Sequence, residues 1–173
     1  FVVSIEKRND KYHYELIYDN KDHNAFLSRS PFVGKEWVLI QVRSGKEGND
    51  TDVKYAKAGE WEWHSLNIGK VQEGNIVDDR LSFIINEGVN ERQIFYCDMS
   101  KSPSSFNDCV RVTRKLESGG YELGHSPRID ENNKNRMIYF LWGKEEGDLS
   151  FVEVLFNGDT PEYKEYSADH LVQ

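Results

Sequence analysis

Apolar and polar positions alternate, or gather in short runs, along the whole chain, and clusters of Gly, Asn, Asp and Ser separate them. A period of two puts successive side chains on opposite faces of a pleated strand, whereas an apolar helical face recurs at about every third or fourth residue. The pattern predicts strands at 2–7, 12–18, 25–30, 36–43, 52–57 and 60–66. It predicts further strands at 80–86, 92–99, 109–115, 121–125, 136–142, 149–156 and 163–167. No stretch carries a capped helical period, and only Ser167-Ala168-Asp169-His170-Leu171 suits a single helical turn. The expected fold class is therefore all-β, with antiparallel strands.

Three runs carry enough apolar residues on consecutive positions to be buried on both faces: Trp37-Val38-Leu39-Ile40-Gln41-Val42, Leu81-Ser82-Phe83-Ile84-Ile85 and Met137-Ile138-Tyr139-Phe140-Leu141-Trp142. Strands of that kind are buried on both faces. Trp37, Ile40, Phe83, Ile85, Ile138 and Phe140 are thus expected among the most buried residues. A Gly-containing polar turn and a second strand follow each run, and then a third, more polar strand. Similar segments precede the first and third runs: Ser28-Arg29-Ser30-Pro31-Phe32-Val33 and Gly124-His125-Ser126-Pro127-Arg128-Ile129. Gly74-Asn75-Ile76-Val77 precedes the second and lacks the Ser-Pro step.

This four-strand rhythm divides one all-β unit, 1–173, into repeats at about 25–70, 71–116 and 120–167. Ile138-Tyr139-Phe140-Leu141-Trp142-Gly143, followed by Val152-Glu153-Val154-Leu155-Phe156-Asn157-Gly158, resembles a degenerate blade of the YWTD-type β-propellers. Ile94-Phe95-Tyr96-Cys97-Asp98 shows the same habit, and the rhythm is similar to that of TolB-like and glycosidase-like propellers. The YWTD tetrapeptide and the sialidase Asp-box are both absent. The resemblance implies about three blades, fewer than the roughly four or more that close a propeller. It therefore implies a larger parent chain or a homo-oligomer. The same strands also suit a single β-sandwich or a calycin-like barrel.

Aromatic residues make up 13% of the chain, which favours pleated surfaces over helices. The net charge of −8, with Lys and Arg scattered among more numerous acids, disfavours nucleic acid and anionic membrane surfaces. No apolar run approaches the roughly 20 residues of a membrane-spanning helix, so no membrane insertion is expected. Cys97 and Cys109 flank a turn-rich stretch that would reverse the chain, and a disulfide between adjacent strands is expected. Asn49-Asp50-Thr51 is a glycosylation sequon in a loop, and together with the disulfide it points to a secreted protein.

Candidate binding residues are few. In Trp61-Glu62-Trp63-His64, alternation places both indoles on one strand face, where they form either a stacking platform or part of the core. Arg29 and Arg128, beside the two Ser-Pro steps, are the other candidates. The loop Asp19-Asn20-Lys21-Asp22-His23-Asn24 and the turn Asp130-Glu131-Asn132-Asn133 lack EF-hand or zinc spacing, so neither metal nor cofactor is expected. No nucleophile, phosphate-loop or dinucleotide motif occurs. Asp78, Asp79, Asp98 and Glu122 are the acids to weigh for a glycosidase-like carboxylate pair, and nothing distinguishes any two of them. The expected function is a secreted interaction module for a protein partner. A carbohydrate-binding or glycosidase-like protein, or a barrel carrying a small apolar ligand, are the alternatives.

Overall fold

Aromatic and β-branched residues recur at strand spacing, and among the described residues they build fifteen strands and two short 3-10 turns. The structure, a computed structural model, describes residues 2–9, 11–18, 26–27, 31–44, 50–86, 92–117, 119–142, 149–158 and 160–167. An N-terminal hairpin pairs β1 (Val2–Arg8) with β2 (Lys11–Tyr18). Sheet I has β3 (Phe26–Leu27) and β4 (Phe32–Val33) side by side on β5 (Trp37–Ser44), which continues to β6 (Asp50–Lys57) and β7 (His64–Leu66). Sheet II is the meander β8 (Val71–Val77), β9 (Arg80–Asn86), β10 (Arg92–Asp98) and β11 (Val110–Arg111). Sheet III is the meander β12 (Gly124–Asp130), β13 (Asn133–Trp142), β14 (Leu149–Asn157) and β15 (Thr160–Ser167). All strand pairs within these sheets are antiparallel, and no sheet closes into a barrel.

The three sheets stack face to face in chain order. Leu39, Val53, Tyr55 and Leu66 of sheet I meet Leu81, Phe83, Ile85 and Phe95 of sheet II in one core. Ile84, Ile94 and Tyr96, on the opposite face of sheet II, meet Met137, Tyr139, Val152, Val154 and Phe156 of sheet III in a second. A third, smaller core lies between the hairpin and sheet I, around Val38, Ile40 and Val42. The middle sheet is buried on both faces: residues 81–85 and 93–97 are all buried. Apolar burial of this kind, at about 25 cal/mol per Å², is what holds such layers together.

Two places show how closely the sheets approach. A Cβ on Gly34 would lie 2.6 Å from Ile76 Cγ2 at the seam between sheets I and II. A Cβ on Gly124, the first residue of β12, would collide with Ile94 at the seam between sheets II and III.

Several local expectations are corrected. The strand expected at 60–66 starts only at His64, because Gly59 and Trp61 both have positive φ, at 88° and 54°, and turn the chain after Lys57. β8 was not expected; a register shift between Val71 and Glu73 breaks its alternation. The strand expected at 121–125 runs instead from Gly124 to Asp130, through a bulge at Ser126 and Pro127. Ile40, Phe83 and Ile85 are buried as expected, but Trp37, Ile138 and Phe140 are only half-buried. For Ile138 and Phe140 the reason is that the described structure covers just one face of sheet III.

Candidate functional site

The seam between sheets II and III opens at one end into a cleft of about 210 Å³. Its lining includes Arg80, Tyr96 and Asp98 from sheet II, Lys101 and Asp108 from the β10–β11 connection, and Phe156 from sheet III. A two-residue turn between Val77 and Arg80, with Asp78 at φ 50°, brings Asp79 and Arg80 to the mouth. Register then places Asp98 directly opposite Arg80. The Arg80 guanidinium contacts Asp79 at 3.0 Å and Asp98 at 2.5 Å, and Lys134 from sheet III reaches Asp79 at 2.8 Å.

Below this network the Tyr96 and Phe156 rings stack at 3.9 Å, one from each sheet. The Tyr96 hydroxyl donates to the Lys134 carbonyl at 2.5 Å. Burial pushes the Tyr96 phenol up to about 12, with Arg80 pulling it the other way, so the ring keeps its proton at neutral pH. Burial also works to raise the Asp79 carboxyl, but Lys134 and Arg80 outweigh it and hold the group below its ordinary range. The cleft thus offers fixed, balanced charges above an aromatic floor.

No protein-family model matches the chain. No curated protein matches it either. Among solved structures it is similar to the acylaminoacyl peptidase of Pyrococcus horikoshii, at 14% identity and a TM-score of 0.53. The likeness covers 83% of this chain and 26% of that one, and at this identity it shows the fold alone.

The sequence-derived candidates do not converge on the cleft. Trp61 and Trp63 are half-buried against Val38, Ile40 and Val42, where the hairpin meets sheet I. Trp61 donates to Glu15 at 3.3 Å, and Trp63 packs edge-on against Tyr18 at 5.2 Å. Arg128 is exposed on β12, donates to the Pro127 carbonyl at 2.8 Å, and lines a separate shallow groove with Arg136 and Ile138. Arg29, Asn49 and the loop around His23 lie outside the described residues, and Asp50 and Thr51 of the sequon open strand β6 rather than lying in a loop. The disulfide between Cys97 and Cys109 is present, beside the paired strands β10 and β11.

Three of the four acids weighed for catalysis are occupied in other ways. Asp79 and Asp98 share Arg80, and buried Glu122 accepts from Arg114 at 2.8 Å and from the Tyr139 hydroxyl. Arg114 also holds Glu165 at 2.8 Å, so this cluster ties the connection before β12 to sheet III. Among the described residues, no group of three or more His, Cys, Asp or Glu is arranged to hold a metal, and no helix is long and apolar enough to cross a membrane. None of Arg80, Tyr96, Lys134 and Phe156 was among the site residues expected from the sequence. The Asp78-Asp79-Arg80 turn is legible locally, but nothing local says that it meets Lys134.

Proposed function

We propose that the chain is a run of successive β-propeller blades serving as an extracellular protein-interaction module. The observation that carries this is the stack itself: consecutive meanders, each packing the face of its own sheet on the next in chain order. In both seams the first strands of a sheet reach the preceding or following one, with β4 against β8 and β12 against β8, β9 and β10. The likeness to acylaminoacyl peptidase, an enzyme with a β-propeller domain, supports the same architecture. The disulfide supports an oxidising compartment. Closure would come from further blades of a longer parent chain or from assembly with other copies.

The protein-partner reading rests on the cleft, whose paired charges and aromatic floor suit a polypeptide more than a strongly charged ligand. The carbohydrate reading has less support, because Trp61 and Trp63 pack against the hairpin and sheet I. Amine cross-linking of the purified chain in extracellular protein fractions, followed by peptide mapping, tests the reading. Protein adducts concentrated at Lys101 and Lys134 are expected. A glycan-array signal without protein adducts would replace it with the carbohydrate reading. Light scattering tests the architecture, since a stable, compact monomer would remove the open-arc arrangement.

A further inference from the structure

The segment closed by Cys97 and Cys109 has an unusual position. It holds only two short 3-10 turns, Met99–Lys101 and Phe106–Asp108, so it has little regular structure of its own. Asp98 accepts from Ser100 N–H at 3.1 Å to cap the first turn, and Asp108 accepts from Ser104 and Ser105 N–H at 2.8 and 3.0 Å around the second. The segment leaves sheet II and reaches across to sheet I. There the Tyr55 hydroxyl donates to the Pro103 carbonyl at 3.0 Å, and Asn67 N–H donates to the Ser104 carbonyl at 2.8 Å. Met99 is wholly buried in the core between sheets I and II, and Phe106 and Cys109 pack against that core. On its other side, Asp98, Lys101 and Asp108 form one wall of the cleft between sheets II and III.

One covalent bond therefore anchors a segment that touches both seams. We infer that the Cys97–Cys109 disulfide is a redox latch, whose reduction releases the clamp over sheet I and opens the neighbouring cleft while the stack of sheets II and III stays intact. The chemistry needs an external thiol, either a small-molecule thiol or a dithiol oxidoreductase. Its thiolate attacks the sulfur of Cys109, a half-buried residue, forming a mixed disulfide and expelling the thiolate of fully buried Cys97, which takes up a proton. A second thiolate then attacks the reductant's sulfur in that mixed disulfide and expels the Cys109 thiolate, which takes up a proton. The protein ends with two thiols and the reductant with one disulfide, so electrons and protons balance. The polar ties from Glu73 to Ser126 and from Asn75 to Ile129, and the Tyr96–Phe156 stack, involve no atom of the clamp and hold sheet III on sheet II without it. The inference stands on this geometry and is independent of which partner occupies the cleft.

Hydrogen–deuterium exchange on the full chain, oxidised and after treatment with dithiothreitol, reads the latch directly. Exchange across 99–112 and at Asn67 should rise by roughly tenfold or more on reduction, while 124–142 and 150–157 change by less than about twofold. Unchanged exchange in 99–112 would overturn the latch, and so would loss of protection through the whole chain at once. A second measurement does not depend on the reduced chain remaining folded. Limiting glutathione should leave its mixed disulfide on Cys109 in a peptide map, and an adduct on Cys97 instead would overturn the stated route.

Discussion

The two seams of this molecule bury similar apolar layers but are fastened differently. Between sheets I and II the polar ties seen among the described residues are neutral: Gln41 accepts from Val71 N–H at 2.9 Å, and Tyr55 and Asn67 hold the clamp. Between sheets II and III charged ties join neutral ones such as Asn75 to Ile129 N–H and Tyr96 to the Lys134 carbonyl. Glu73 accepts from Ser126 N–H at 3.1 Å while paired with Arg92, and Lys134 crosses to Asp79. The bulge in β12 turns backbone N–H groups away from the ladder, and Glu73 and Asn75 supply the acceptors that those groups would otherwise lack. A seam fastened by neutral groups and a covalently closed segment should ignore acid. A seam fastened by carboxylates should not.

The largest expected effect separates buried from uncovered faces. Phe95→Ala removes a ring stacked on Phe83 in the core between sheets I and II and should cost about 3–5 kcal/mol in a denaturant melt. Phe140→Ala, on the face of sheet III that no described sheet covers, should cost only about 1 kcal/mol. Equal losses would mean that sheet III is covered on both faces in solution.

Replacing both cysteines by Ala should cost about 2–4 kcal/mol, because the bridge restricts the unfolded chain and holds the clamp. Thermal unfolding of the variant checks this, and an unchanged midpoint would mean that the clamp is held by its other contacts alone. The two glycines probe one seam each. Gly34→Ala and Gly124→Ala should each cost about 1–3 kcal/mol by forcing Ile76 or Ile94 aside. A neutral Gly124→Ala would show that β12 lies further from Ile94. Asn75→Ala strips the acceptor from the buried Ile129 N–H and should cost about 1–2 kcal/mol, with faster exchange confined to β12.

Much of this fold was legible in the sequence because it is local. The apolar runs at 37–42, 81–85 and 137–142 each became an interior strand of one sheet, and the cysteines bridged as their turn-rich spacing suggested. Irregular strands were not legible. β8 and β12 carry bulges that break period two, and Pro127 disguises the second of them further. The cleft was the least visible feature. Tyr96 and Phe156 lie in different sheets, as do Asp79 and Lys134, so their meeting depends on how the sheets stack. Trp61 and Trp63 attracted notice as neighbours in sequence, yet their partners, Tyr18 and Glu15, come from the distant hairpin.

Acid exchange tests the difference between the seams most directly. Burial works to raise Glu73, but Arg92 and Ser126 outweigh it, so Glu73 is held low, as Asp79 is. Their stabilising contribution is complete above the unfolded carboxylate values of about 4 and is lost as pH falls through the lower folded values. Burial, and then Arg92, also hold the His125 imidazole of β12 below its ordinary value. Its contribution is present above about 6.5 and is lost as pH falls through the lower folded value, which adds to the same weakness. In the clamp, Asp108 is held low by hydrogen bonds from Ser104 and Ser105, but the disulfide still closes its turn. Amide exchange, corrected for its intrinsic pH dependence and followed from pH 7 to about pH 3, should show β12–β15 losing protection before β5, β6 and β9. Protection lost first between sheets I and II, or from all three sheets at one pH, would contradict the charged fastening of sheet III.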